Sequence, residues 1–162
     1  MNSLTSRRLP AHAISPENFR PYGQVILPAA DGRAFDATDA QLSLNAGVPR
    51  FYIMRLHHRG KQFAQITRHQ RCTQCLGALA GKSWFIAVAP AAATDCPNPE
   101  SIVAFRVSGT CFIKLEVGTW HAGPYFDQDF ADFYNLELSD TNLNDHQTCN
   151  LKTHYGLTFE IV

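Results

Sequence analysis

His69, Gln74 and Gly81 stand at the spacing H-x4-Q-x6-G, and Gly118-Thr119-Trp120-His121 supplies G-x-x-H further along the chain. Imidazole is the side chain whose ordinary pKa lies nearest neutrality. Two histidines brought to one pocket can therefore exchange protons with a substrate or ligate a divalent ion. A glutamine beside them can donate to a developing oxyanion. The competing reading is structural, because a neutral imidazole is satisfied inside a fold by donating one ring N–H to a backbone carbonyl. The elements around the two motifs decide between these readings by converging the rings or separating them.

Those elements read as strands. Runs of β-branched and aromatic residues with turn residues between them predict strands over Gly23–Leu27, Arg50–Leu56, Phe63–His69, Ser83–Ala89, Ile102–Val107, Cys111–Val117, Phe130–Leu138 and Tyr155–Val162. This is the pattern of an all-β barrel or sandwich. Ser15-Pro16-Glu17-Asn18-Phe19 joins a capping hydroxyl to a proline at the first helical position, which predicts a short N-terminal helical turn. The polar, alanine-rich segment from Asp31 to Asn45 reads as a surface loop. So does Asp95-Cys96-Pro97-Asn98-Pro99, whose prolines have no N–H for a ladder.

Strand alternation says which groups share a face. Phe63, Gln65, Thr67 and His69 fall on one side of their strand and Arg68 on the other, so an inward His69 sends Arg68 outward. Lys114 and Glu116 share a face opposite Ile113 and Leu115. Turned inward, Lys114 offers a cation for a substrate carboxylate and Glu116 a group for proton transfer. Turned outward, the two form an exposed ion pair contributing almost nothing. Trp84 and Trp120 are expected to pack the barrel, although Trp120 adjoins His121 and can line the pocket mouth, with Tyr125 nearby. The cluster Asp140, Thr141, Asn142, Asp145 and His146 has the composition of turns and caps, and is a rival position for a site.

Composition narrows the partners. The 162 residues, 45% hydrophobic and 17% charged, suit a single domain spanning 1–162. Fourteen basic residues balance fourteen acidic ones, so no long-range field favours nucleic acid or an anionic membrane. The basic group Arg50, Arg55, Arg59, Lys61, Arg68, Arg71 and the later acidic run read as solvated strand faces. No apolar run reaches membrane-span length, and the segment after Arg7-Arg8 is too polar for a signal core. Five scattered cysteines point to free thiols in a cytoplasmic, reducing setting. Cys72-x-x-Cys75 lacks the second pair that a structural zinc site requires, and reads as buried apolar filler.

The two motifs resemble those of the cupin superfamily, H-x-H-x3–4-E-x6-G and P-x-G-x-x-H-x3-N. Thr67 stands at the first metal histidine, Gln74 at the glutamate, Glu116 at the proline and Tyr125 at the asparagine. The resemblance sharpens along the chain. Pro16-Glu17-Asn18-Phe19-Arg20-Pro21-Tyr22-Gly23-Gln24-Val25-Ile26, Arg68-His69 with Thr73-Gln74, Val88-Ala89, Ala104-Phe105, and Trp120-His121 before Asp132-Phe133 are similar to the ureidoglycolate lyase family.

That resemblance implies a cupin-type double-stranded β-helix and a homodimer. It also implies cleavage of ureidoglycolate to glyoxylate and urea in the allantoin branch of purine catabolism. Family lyases carry histidine where Glu116 stands and a second histidine where Ala122 follows His121, so the chain resembles a divergent branch. The chemistry requires a base for the carbinol hydroxyl, an acid for the departing nitrogen, and a cation or donors for the carboxylate. His69, His121, Glu116 and Gln74 are the catalytic candidates, and Lys114, Trp120 and Tyr125 the substrate-binding ones. A nickel, manganese, zinc or iron ion on His69 and His121 could replace several of these roles. A non-catalytic cupin binding a small carboxylate, or a metal-dependent cupin enzyme of other specificity, remains an alternative.

Overall fold

The computed structural model describes residues 4–162. The strands, in chain order, are β1 (Thr5–Leu9), β2 (Ala11–Ala13), β3 (Gly23–Ile26), β4 (Pro49–His57), β5 (Gln62–Phe63), β6 (Gln65–Arg68), β7 (Gln74–Ala78) and β8 (Trp84–Ala89). They continue as β9 (Val103–Val107), β10 (Phe112–Leu115), β11 (Trp120–Tyr125), β12 (Phe130–Leu138), β13 (Gln147–Asn150) and β14 (Leu157–Ile161). Two short helices, α1 (Thr141–Asn144) and α2 (Leu151–Tyr155), flank β13.

The strands form a five-stranded sheet ordered β3-β10-β7-β12-β4, a six-stranded sheet ordered β13-β6-β11-β8-β9-β2, and a three-stranded sheet ordered β1-β14-β5. This is the cupin-type double-stranded β-helix with few helices. Among the described residues no helix is long and apolar enough to cross a membrane.

Alternation divides the apolar residues between two cores. Between the two larger sheets lie Leu76, Ala78, Ile113, Leu115 and Phe133 from one side, and Trp84, Ile86, Val88, Phe105 and Val107 from the other. Trp84 meets Phe133 edge-on, with ring centroids 5.2 Å apart, and truncating either would cost about 3–5 kcal/mol. The opposite face of the six-stranded sheet carries Ile66, Ala87, Ala89, Trp120 and Cys149 against Leu157, Phe159 and Ile161 of the three-stranded sheet. Every strand of the six-stranded sheet that feeds both cores is thus apolar on both sides, which explains its continuous hydrophobic runs.

Several expectations are corrected here. Residues 16–22 make hydrogen-bonded turns, Phe19 N donating to Ser15 O and Ser15 and Asn18 stapling them, without a regular helix; helical elements occur instead at Pro99–Ser101 and on either side of β13. The expected strand from Tyr155 begins only at Leu157, because α2 ends at Gly156, whose φ of +68° is a left-handed C-cap. Cys96 and Cys149 are joined in a disulfide across 53 residues, so the odd cysteine count does not argue for a reducing compartment. Cys72 and Cys75 are buried and free, and burial pushes the Cys75 thiol up to about 11. Arg55, from the basic group, pairs bidentately with Asp132 across the β4–β12 ladder, as a solvated strand face should.

Candidate active site

His121 sits on β11 opposite Val88 on one side and Thr67 on the other, so it faces the space between the two larger sheets. His69 follows β6 directly. Its carbonyl accepts from Gly118 N at 2.7 Å, and Gly118, at φ +85°, makes the left-handed turn that leads into β11. These ties bring the two motifs together. The imidazole centroids of His69 and His121 are 5.0 Å apart, and that of His146 lies 5.7 Å from His69 on the rim.

The backbone sets the tautomers. His69 Nδ1 donates to the Asp145 carbonyl at 2.6 Å, and His121 Nδ1 to the Thr119 carbonyl at 3.3 Å. A carbonyl only accepts, so the proton is on Nδ1 in each ring and Nε2 keeps its lone pair for a substrate. Asp145 anchors the arrangement, since its two carboxylate oxygens accept from Gln70 N and Arg71 N, both at 2.8 Å. Burial pushes the His121 pKa down to about 3, assisted by neighbouring His69, and burial lowers that of His69 against the opposing pull of its Asp145 hydrogen bond. Both imidazoles are neutral at physiological pH, each with its Nε2 lone pair free.

His121 borders a cleft of about 540 Å³, where His146, Thr67, Thr148, Tyr125 and Arg59 converge with it, while His69 stands beside His121 without lining the cleft. Thr67 and Thr148 hydroxyls share a hydrogen bond of 2.9 Å. The Arg59 guanidinium lies 5.0 Å from the Tyr125 ring centroid and donates weakly to Pro124 O. Burial raises the Tyr125 pKa, so its phenol keeps its proton and can donate.

The residues do not fit a divalent metal. Among the described residues no group of three or more His, Cys, Asp or Glu side chains could hold an ion. His69 and His121 contribute two nitrogens, and the nearest carboxylate, Asp145, is committed to two backbone N–H groups.

The remaining sequence candidates scatter. Gln74 faces the space between the larger sheets from β7, bonded to Asn135 and Glu137. Lys114 is buried, but on the outer face of the five-stranded sheet, because Ile113 and Leu115 claim the core side. Its β3 neighbour Gln24 ties down the 37–41 loop that covers that face. Glu116 is exposed in the turn after β10 and pairs with Lys114. Trp120 is fully buried on the opposite face of β11 from His121, beneath the Arg68 guanidinium. The cleft therefore does not receive Lys114, Glu116 or Trp120. Arg59, read from the sequence as part of a solvated basic face, lines the cleft, and Asp145 and His146 come from the polar cluster that the sequence offered as turns or a rival site.

The family model described as ureidoglycolate lyase matches residues 6–157. The chain belongs to the ureidoglycolate lyase family. Solved structures similar to it include a dTDP sugar isomerase from Desulfovibrio desulfuricans G20, at 16% identity and TM-score 0.46, covering 73% of this chain and 79% of that one. An oxalate decarboxylase is similar at 11% identity and TM-score 0.42, covering 81% of this chain but 28% of that one. No curated protein matches the chain. Glu116 and Ala122 lie outside the imidazole pair, Glu116 in a solvent-facing turn and Ala122 in the outer core.

Proposed function

We propose that the protein is a carbon–nitrogen lyase that releases urea and glyoxylate from ureidoglycolate or a closely related ureido hydroxy acid. The observation that carries this reading is the pair of neutral, backbone-fixed imidazoles of which one, His121, lines a polar cleft. In the reaction His121, with His69 beside it, takes the proton of the carbinol hydroxyl through Nε2. The oxygen's electrons close the aldehyde carbonyl as the carbon–nitrogen bond breaks. The imidazolium so formed returns the proton to the departing urea nitrogen, which balances the step without net proton uptake. Its depressed pKa makes that return favourable. Arg59 binds the substrate carboxylate, in the role that the sequence suggested for Lys114, while Tyr125 and the Thr67–Thr148 pair supply donors along the cleft. Such a step belongs to allantoin nitrogen catabolism in the cytoplasm.

We place the assembly as a homodimer, since β4 is an unpaired edge and Phe51 and Ile53 on it are exposed. A solution mass near the chain's 18.0 kDa would contradict it. The decisive assay is glyoxylate release from ureidoglycolate by the purified protein. Turnover above the spontaneous background supports the lyase reading. No turnover, together with thermal stabilisation by small carboxylates, would leave a binding protein in its place.

A further inference from the structure

Two sealed acceptors on neighbouring side chains make no hydrogen bond. Gln74 Oε1 and Glu137 Oε1 are buried without a hydrogen bond, on residues only 7% and 1% exposed. The same two side chains are already joined through their other atoms, since Gln74 Nε2 donates to Glu137 Oε2 at 3.1 Å. An orphaned buried acceptor is destabilising, and two side by side are hard to reconcile with a stable core.

The amide donors nearby are all engaged. Gln74 Nε2 also donates to Asn135 Oδ1 at 3.0 Å, and Asn135 Nδ2 donates to the Tyr52 hydroxyl at 3.1 Å and weakly to the Met54 sulfur. An amide oxygen cannot carry the missing hydrogen. A carboxyl oxygen can.

We infer that Glu137 is held as a neutral carboxylic acid in the folded protein, its Oε1–H donating to Gln74 Oε1 while Gln74 Nε2–H donates to Glu137 Oε2. One proton then satisfies both orphaned oxygens and closes a ring of two hydrogen bonds between acid and amide. Glu137 is thereby a positioning residue, because the ring fixes which way the Gln74 carboxamide points. The groups around it agree on balance. Asn135, the Arg50 cation of the adjoining β4 position and the Tyr52 hydroxyl favour the charged form, but burial outweighs them and raises the Glu137 pKa. Arg50 is exposed and lies 3.7 Å from the Tyr52 ring centroid. His69 and His121 on the side of the facing sheet are both neutral, and among the described residues Arg50 is the charged group that acts on Glu137.

The assignment is independent of the reaction and is tested without substrate. Carbon NMR of the wild-type chain, with Glu137 assigned through its own backbone, should give a carboxyl midpoint above the free value of 4.5. Asp132 and Asp140 should titrate in the opposite direction, below theirs. A Glu137 midpoint at or below 4.5 would overturn the proposal. Stability gives a second reading. The stabilising proton is fully present below pH 4.5 and is lost as pH rises through the raised folded value. Glu137→Gln replaces the O–H by an N–H that no pH removes. The wild-type Tm should therefore fall relative to Glu137→Gln as pH rises, by several degrees at this chain length. Glu137→Leu, which cannot close the ring, should melt below Glu137→Gln throughout. If the wild type instead gains on Glu137→Gln with rising pH, or if the leucine variant matches the glutamine variant, the ring does not exist.

Discussion

The space between the two larger sheets has two polar regions built on opposite principles. On the side of the six-stranded sheet, His121 borders an open cleft with His69 beside it, and both have Nδ1 tied to a carbonyl, so each ring keeps one nitrogen unused. On the five-stranded sheet, Gln74, Asn135 and Glu137 are sealed and their amide donors are consumed internally. Burial acts on both by disfavouring charge, yet it strips a proton from an imidazole and leaves one on a carboxyl. The open region is suited to exchanging protons with a visitor and the closed one to keeping its own. Enclosure in a low dielectric does not by itself make a site. An unused lone pair beside a cleft does.

The largest expected effect tests the open region. His121→Ala should lower glyoxylate release ~10²–10⁴-fold, the usual contribution of a positioned acid or base, while circular dichroism shows the fold intact. Loss of less than a few-fold would move the chemistry away from this ring.

Acid stability distinguishes the two regions by sign. The folded pKa values of His69 and His121 lie below the ordinary 6.5, so the unfolded chain takes up protons first as pH falls. Their contribution is present above 6.5 and is lost as pH drops towards about 3. By the pKa-to-energy conversion this amounts to a few kcal/mol, on the order of 1.4 per unit. His121→Ala should flatten this acid limb in urea titrations, whereas Glu137→Gln should steepen it, because the variant lacks the carboxyl whose protonation partly offsets the loss. An unchanged slope in the histidine variant would mean that the ring protonates without consequence for the fold.

A smaller change is expected at the rim. Arg59→Ala should raise KM about tenfold with kcat little altered, as removal of one charge-assisted contact made equally in ground and transition states predicts. An equal loss in kcat would instead put Arg59 at the reacting atoms. The smallest effect concerns groups outside both regions. Cys72→Ser, whose side chain is buried near the Thr141 hydroxyl, should leave turnover unchanged, and so should chelation by EDTA, since the donor set does not suit a divalent ion.

The strand-rich architecture was legible because β-branched runs and turn residues are local signals, and the H-x4-Q and G-x-x-H spacings carried the convergence of His69 with His121. Alternation correctly separated Arg68 from Thr67, and Lys114 from Ile113. It could not say which face of β10 would be roofed, because that depends on the 37–41 loop folding over Lys114 through Gln24, a contact with no sequence periodicity. β7 and β11 were not predicted as strands, since Thr73-Gln74-Cys75-Leu76-Gly77-Ala78 and Trp120-His121-Ala122-Gly123-Pro124-Tyr125 contain small and polar residues of low strand propensity. Their pairing is imposed by neighbours. The sequence could not join Arg59 and the cluster holding His146 to the His121 site because both approach from loops, and Cys96–Cys149 stayed hidden because its partners are 53 residues apart.

The order of strands has a consequence for how the chain reaches this state. β1 runs parallel to β14, Thr5 beside Leu157, and β2 runs parallel to β9, with only Pro10 between the two N-terminal strands. One short ribbon thus clasps two different sheets, and one of its partners, β14, is synthesised long after it. Until then β1 has no ladder, and the outer core that Phe159 and Ile161 complete cannot close. Long-range pairing of this kind slows the final step and leaves an edge exposed meanwhile. A trimmed N-terminal ribbon should therefore show itself first as aggregation during synthesis, before any defect appears in the finished protein.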